Sequence, residues 1–198
     1  MATASTLYTI GHGNKEMGRF VEELRSFGIE YLADIRSKPY SKWNPCYNQE
    51  ALRASLEAEG IRYVYMGDAI GGLPDDATCY TDGHIDYGKL REKDYFVSGL
   101  RRLVVANSKG IRLALMCSES DPSMCHRSKL VGEELMRAGI EISHIVGKGK
   151  TLSQRQVMAT LTEGYGTKDL FGNERTFMSR KQISGKSPEM FGNALIMC

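Results

Sequence analysis

Short apolar runs alternate with longer amphipathic stretches along most of the chain. Leu7, Tyr8, Thr9 and Ile10 read as a strand that stops at Gly11-His12-Gly13. A helix follows, with Asn14 as N-cap, Phe20, Val21, Leu24 and Phe27 at helical spacing, and Gly28 as its stop. Residues 29–35 predict a buried strand, after which Arg36, Ser37 and Lys38 precede Pro39. Residues 49–60 predict a second helix and residues 61–66 a third strand. Residues 67–87 hold Gly71-Gly72, Pro74 and clustered Asp and Thr, the composition of a long loop, and loops of that length often carry function. Residues 89–107 place Phe96, Leu100, Leu103 and Val104 on one helical stripe, and residues 111–116 form a fourth strand. Asp121-Pro122 starts a helix that runs to Gly139, since Asp caps free amides and proline suits the first helical position. Residues 140–146 complete a fifth strand.

Five strand-to-helix alternations predict a Rossmann-like α/β domain over residues 1–150, a mainly parallel sheet of about five strands with helices on both faces. After Gly147 the chain turns polar and basic. Residues 151–198 are expected to form a C-terminal appendage, a last helix at 154–161 and an irregular glycine-rich tail, packed on the domain or extending from it. Phe171-Gly172-Asn173 and Phe191-Gly192-Asn193 echo each other there, too briefly for a repeat architecture.

Composition supports folding: 41% of the 198 residues are hydrophobic and 25% charged. A net charge of +2 makes no global case for a nucleic-acid or membrane partner and leaves only a local patch. The first residues lack a basic region followed by an apolar run, and no stretch of about 18 apolar residues occurs, so the expected location is cytoplasmic, away from membranes. Five cysteines without a secretion signal predict reduced thiols rather than a disulfide framework.

In an open parallel sheet, ligands bind beyond the carboxyl ends of the strands. Those ends deliver His12, then Asp34 with Arg36 and Ser37, then Asp68, then Cys117, Ser118 and Glu119 with Cys125-His126-Arg127 close behind. Any such fold puts some polar residues at this edge, but thiols, imidazoles and guanidinium groups together point to a site. Cys125, in the expected first helical turn beside His126 and Arg127, is placed to be a thiolate nucleophile; the bland reading is a small residue packing helix on sheet. A metal site from Cys117, Cys125, His126 and His12 or His144 is a weaker reading, because the spacing of the two cysteines matches no standard zinc motif. Arg127 either anchors an anion or pairs with Glu119 or Asp121. His12, flanked by Gly11 and Gly13, has backbone that lets a substrate approach closely. Asp34 with Arg36 is either an acid and anion-binding pair or a buried ion pair. Lys38, Tyr40, Lys42, Trp43 and Tyr47 interleave basic and aromatic residues, a pattern that suits base stacking and equally an ordinary loop rim.

The motifs Thr9-Ile10-Gly11-His12, Asp34-Ile35-Arg36-Ser37-Lys38-Pro39, Gly71-Gly72 and Cys117-x-Glu119-x-Asp121-Pro122-x-x-Cys125-His126-Arg127 resemble the family catalogued as domain of unknown function 488. That resemblance implies a Rossmann-like fold and the importance of these positions, and it names no substrate or cofactor. Members often carry Ser after the first His, where this chain has Gly13. Asp-x-Arg after strand two with a later loop cysteine is also distantly similar to rhodanese domains, although the compact loop of backbone amides is missing; sulfur transfer is one option.

The leading expectation is a thiol-dependent transferase or hydrolase. Cys125 is its nucleophile or redox thiol, His12 or His126 transfers protons with Asp34 beside them, and Arg36, Ser37, Arg127, Cys117, Glu119, Gly11 and Gly13 hold a small anionic substrate such as a nucleotide. The rival expectation is a non-catalytic module that binds a nucleotide or nucleic acid at the same edge.

Overall fold

Parallel strands that are apolar on both sides must be covered on both sides, and the chain does this with helices inserted between successive strands. The computed structural model describes residues 6–147, 149–164 and 177–179. Its strands are β1 (Leu7–Gly11), β2 (Tyr31–Asp34), β3 (Arg62–Tyr65), β4 (Tyr80–Thr81), β5 (His84–Ile85), β6 (Leu113–Cys117), β7 (Ser143–Gly147) and β8 (Lys150–Ser153). The α-helices are α1 (Met17–Ser26), α2 (Gln49–Ala58), α3 (Gly67–Ile70), α4 (Tyr87–Leu90), α5 (Asp94–Ser108), α6 (Glu133–Arg137) and α7 (Gln154–Leu161).

Six strands form the main sheet in the order β3-β2-β6-β1-β7-β8. The first five are parallel and β8 runs antiparallel to β7. On one face Phe20 and Leu24 of α1 and Leu52 and Leu56 of α2 pack on Ile10, Leu32 and Met116. On the other, Phe96 and Leu103 of α5 and Leu130 and Leu135 pack on Ala33 and Leu115. The fold is therefore Rossmann-like α/β.

Two neighbouring strands part company at the centre of this sheet. From β1 the chain passes through α1 to β2, on one side, whereas from β6 it passes through α6 to β7, on the other. Connections that diverge in this way open a crevice at the carboxyl ends of the two strands. Register puts Gly11 beside Cys117 and Asp34 beside Met116, so three strands end level with one another at that crevice.

Several elements differ from expectation for local reasons. Helix α1 begins at Met17 with no side-chain cap, because the Asn14 side chain accepts a hydrogen bond from Asn44 Nδ2 at 3.2 Å instead. The expected loop at 67–87 contains α3 and a β4–β5 hairpin, whose turn is made by Asp82 and Gly83 at φ 50° and 76°. The expected helix at 89–107 is two, α4 and α5. The polar Lys150–Ser153 segment is an edge strand, and Ser153 with Gln156 forms a capping box that starts α7. Gln154, fully buried, accepts from His144 Nε2 at 2.8 Å and donates to Ser128 O and Glu133 Oε1. Strand β8 thus extends the main sheet by one antiparallel strand, and Gln154 ties the start of α7 to β7 and to the Arg127–Gly132 segment. The echoed segments at 171–173 and 191–193 lie outside the described residues. Among the described residues no helix is long and apolar enough to cross a membrane.

Candidate active site

Strand β6 ends at Cys117 and the chain turns through residues 118–121 into a single 3-10 turn, Pro122–Met124, where Asp121 accepts from Ser123 N at 2.8 Å. The helix expected to run on from there is interrupted. Cys125 is extended, at φ −121° and ψ 152°, and winding resumes as a π-helix over Arg127–Gly132 that continues into α6. Ser128 Oγ bridges the break by donating to Pro122 O at 2.5 Å and Cys125 O at 3.2 Å. Cys125 therefore stands in a gap between two helical segments, and the amide of Arg127 reaches its sulfur at 3.5 Å. Wide π turns inside helices often mark functional positions.

The Cys117 and Cys125 Sγ atoms are 2.7 Å apart, well inside ordinary van der Waals contact. Both residues are buried, with 2% and 5% of their surface exposed, yet both line the same cleft. Burial pushes the Cys125 thiol up, but the hydrogen bond from Cys117, the Arg127 charge and the Arg127 N–H outweigh it and hold this thiol below its ordinary value. Burial and the hydrogen bond to Cys125 push Cys117 well above its ordinary value. The two shifts have opposite sign, so Cys125 gives up its proton more readily than Cys117, whose Sγ also donates to Glu119 O at 3.8 Å.

Arg127 supplies the compensating charge. It is completely buried, Nη2 donates to Ser120 O at 2.8 Å, and Nε and Nη1 have no hydrogen-bond partner among the described residues. A buried guanidinium is costly without a compensating negative charge, and its own charge is among the causes that lower the Cys125 thiol's pKa. Gly11 makes room for this arrangement: a Cβ there would stand 1.8 Å from Glu119 O and 2.7 Å from Arg127 Nη1. The glycine before His12 thus serves close packing of chain on chain.

The cleft has a volume of about 350 Å³ and is lined by Arg36, Ser37, Lys38, Gly72, Glu119 and His126 besides the two thiols. His126 Nδ1 lies 3.5 Å from Cys125 Sγ, and burial pushes this imidazole's pKa down, toward the neutral form. Gly72 allows the loop to press on that ring, since a Cβ would stand 2.7 Å from His126 Cγ and Nδ1. Ser37 Oγ accepts from Leu73 N at 2.8 Å and so fixes the loop from the other side. Two further wall residues come from unexpected places. Tyr87 has its hydroxyl pKa pushed up by burial and the neighbouring thiols, and Ser179 donates its backbone N–H to Ile85 O and accepts from Ile85 N through its Oγ, each at 3.0 Å.

A second buried cluster lies behind the cleft. Arg36 grips Asp34 through Nε at 2.9 Å and Nη2 at 2.6 Å, and Nη2 also donates to Tyr47 O at 2.8 Å. Tyr63 Oη donates to Asp34 Oδ2 at 2.8 Å. His12 stacks on the Tyr47 ring with centroids 4.2 Å apart, and its Nε2 faces Arg36 Nη1 at 3.4 Å. Its Nδ1 bonds Gly13 O at 2.8 Å, and burial, with Arg36 close by, brings its pKa down to about 4. Tyr47, expected on the stacking loop, is fully buried and unavailable to a base.

Of the residues singled out in the sequence, Cys117, Glu119, Cys125, His126, Arg36 and Ser37 line the cleft. His12, Asp34, Arg127, Gly11 and Gly13 lie outside its lining and build the wall behind it. Tyr63 and Ser179 had no motif to mark them. Among the described residues, no group of three or more His, Cys, Asp and Glu side chains is arranged to hold a metal ion. The sulfurs are also closer than the roughly 3.8 Å that separates two thiolates on a tetrahedral zinc with Zn–S bonds of about 2.3 Å.

Fold and site define a doubly wound α/β protein with a paired-thiol cleft at its strand-end crevice. The chain belongs to the family described as Domain of unknown function DUF488, whose model matches residues 16–133, a span that holds Asp34 to Arg127 and begins after β1. No curated protein and no solved structure matches the chain.

Proposed function

We propose that this protein is a cysteine-dependent enzyme acting on a small anionic substrate in the strand-end cleft, with Cys125 as nucleophile. The observation that carries this reading is the 2.7 Å contact between the two sulfurs, which lets Cys117 stabilise a thiolate on Cys125. Arg127 balances that charge from behind, and His126 is the neutral base nearest the reacting sulfur. Arg36 and Lys38 on one wall supply positive potential toward an anion, and the level ends of β1, β2 and β6 keep these groups on rigid elements. His12 and Asp34 act through Arg36 rather than on the substrate, as positioning residues.

Alkylation tests this reading. With iodoacetamide and peptide mass mapping, Cys125 is expected to react with an apparent pKa below the roughly 8.5 of a free thiol, and Cys117 to stay unmodified at neutral pH. A Cys125 that reacts no faster than exposed Cys46 at neutral pH contradicts it.

A second reading, a module that binds a nucleotide or a single nucleic-acid strand without chemistry, is favoured by one surface feature. Tyr40 and Trp43 are 73% and 81% exposed, and Lys42 Nζ lies 4.8 Å from the Trp43 ring centroid. Stacking on such rings with a phosphate contact predicts quenching of Trp43 fluorescence by a short oligonucleotide and affinity that falls steeply with salt. Unchanged Trp43 emission on addition of oligonucleotide rejects this reading.

A further inference from the structure

We infer that the cleft performs thiol–disulfide exchange on an organic disulfide, with Cys125 attacking and Cys117 resolving, so that each turnover leaves a Cys117–Cys125 disulfide. The inference rests on the reading of Cys125 as nucleophile and adds to it the second thiol and the class of substrate. Its basis is the placement of two sulfurs 2.7 Å apart in the wall of a cleft that both of them reach. A substrate sulfur bonded to Cys125 would sit beside a second thiol already within about 0.7 Å of disulfide bonding distance.

The Cys125 thiolate attacks one sulfur of R–S–S–R′, forming Cys125–S–S–R and expelling R′–S⁻. Cys117 then loses its proton and attacks Cys125 Sγ, forming the Cys117–Cys125 bond and expelling R–S⁻, which takes up that proton. Two protein thiols are oxidised and the substrate disulfide is reduced by two electrons. A dithiol reductant restores the starting state by the reverse exchange. The different protonation of the two thiols fits the sequence of events, because the acidic Cys125 attacks first while Cys117 holds its proton. Once Cys125 is in a mixed disulfide it no longer accepts the Cys117 hydrogen bond, and His126, neutral and beside the pair, is the base that takes the proton through the cleft.

The test uses the full reduced chain and dithiobis-nitrobenzoate, an anionic disulfide whose released thiolate is coloured. Peptide mass mapping follows each cysteine. The expected result is two equivalents of coloured thiolate from the pair and an internal Cys117–Cys125 disulfide with no nitrobenzoate retained on either residue. Cys117→Ser is expected to stop after one equivalent with the mixed disulfide trapped on Cys125, and Cys125→Ser to leave Cys117 unmodified. A wild-type protein that keeps nitrobenzoate on Cys125 overturns the resolving role of Cys117 while leaving the nucleophile in place. A wild-type Cys125 that does not react overturns both.

Discussion

Asp34→Ala is expected to lower the free energy of unfolding by about 3–5 kcal/mol, measured by urea denaturation at neutral pH. The carboxylate is completely buried, receives Arg36 through two nitrogens and the Arg36 amide, and receives Tyr63 Oη as well. Removing it leaves a guanidinium at 6% exposure with its partner gone, and frees a half-buried phenol whose proton is held firmly by burial and by Asp34. Arg36→Met alone costs less than leaving the charge stranded, because it removes the ion that needs compensation. A loss below about 1 kcal/mol for Asp34→Ala would mean that this pair does not organise the wall of the cleft. The effect on the site is also directional. Arg36 faces both His12 and the cleft, so the variant should disturb Cys125 reactivity even where it still folds.

Stability should fall in acid by about 3 kcal/mol for each of two histidines as pH drops from 6.5 toward 4. Burial brings His12 and His144 from 6.5 down to about 4. An unfolded chain would bind protons on both rings between those values while the folded chain would not, so protonation favours unfolding. The contribution is complete above 6.5 and gone once the pH reaches the folded values. His144 shows the cause in its bonding: Nε2 faces Gln154 Oε1, an acceptor, at 2.8 Å, so Nε2 carries the proton and Nδ1 accepts from Thr9 Oγ1 at 2.7 Å. A second proton on Nδ1 would have to displace that hydroxyl in a fully buried position. Urea midpoints followed across this range test the slope, and a flat profile would contradict it. His144→Gln should flatten the slope by about half.

How far the sequence foretold the molecule depends on what kind of signal each part carries. The buried strands announce themselves because apolar runs such as Leu113–Cys117 have no other use, and all five parallel strands fall within a few residues of expectation. Helix α7 was legible through its periodicity, and its Ser153–Gln156 box agrees. Strand β8 was not, because an edge strand needs no apolar run, and Lys150 and Thr151 are exposed. The β4–β5 hairpin was legible in principle, since Asp82-Gly83 is a strong turn signal, but its strands are two residues each and carry no periodicity.

The site divides along the same line. The motif residues at the strand ends do gather at one crevice because five crossovers bring them there. Their roles depend on packing that no spacing encodes. His12 lies between two glycines, and the glycines serve the approach of Glu119 O and Ser120 Oγ rather than of a ligand. Cys125 was expected in a helical turn; it lies instead in an extended break stapled by Ser128, and that break is what turns its sulfur toward Cys117. Tyr63 and Ser179 come from a strand and a distant segment that carry no motif.

The central claim is that Cys125 ionises more readily than a free thiol in the folded protein. The most direct measurement is the pH dependence of thiolate ultraviolet absorbance for wild type minus Cys125→Ser. A step in the difference with its midpoint below the roughly 8.5 of a free thiol is the predicted result. A step that appears only at or above that value would contradict the account.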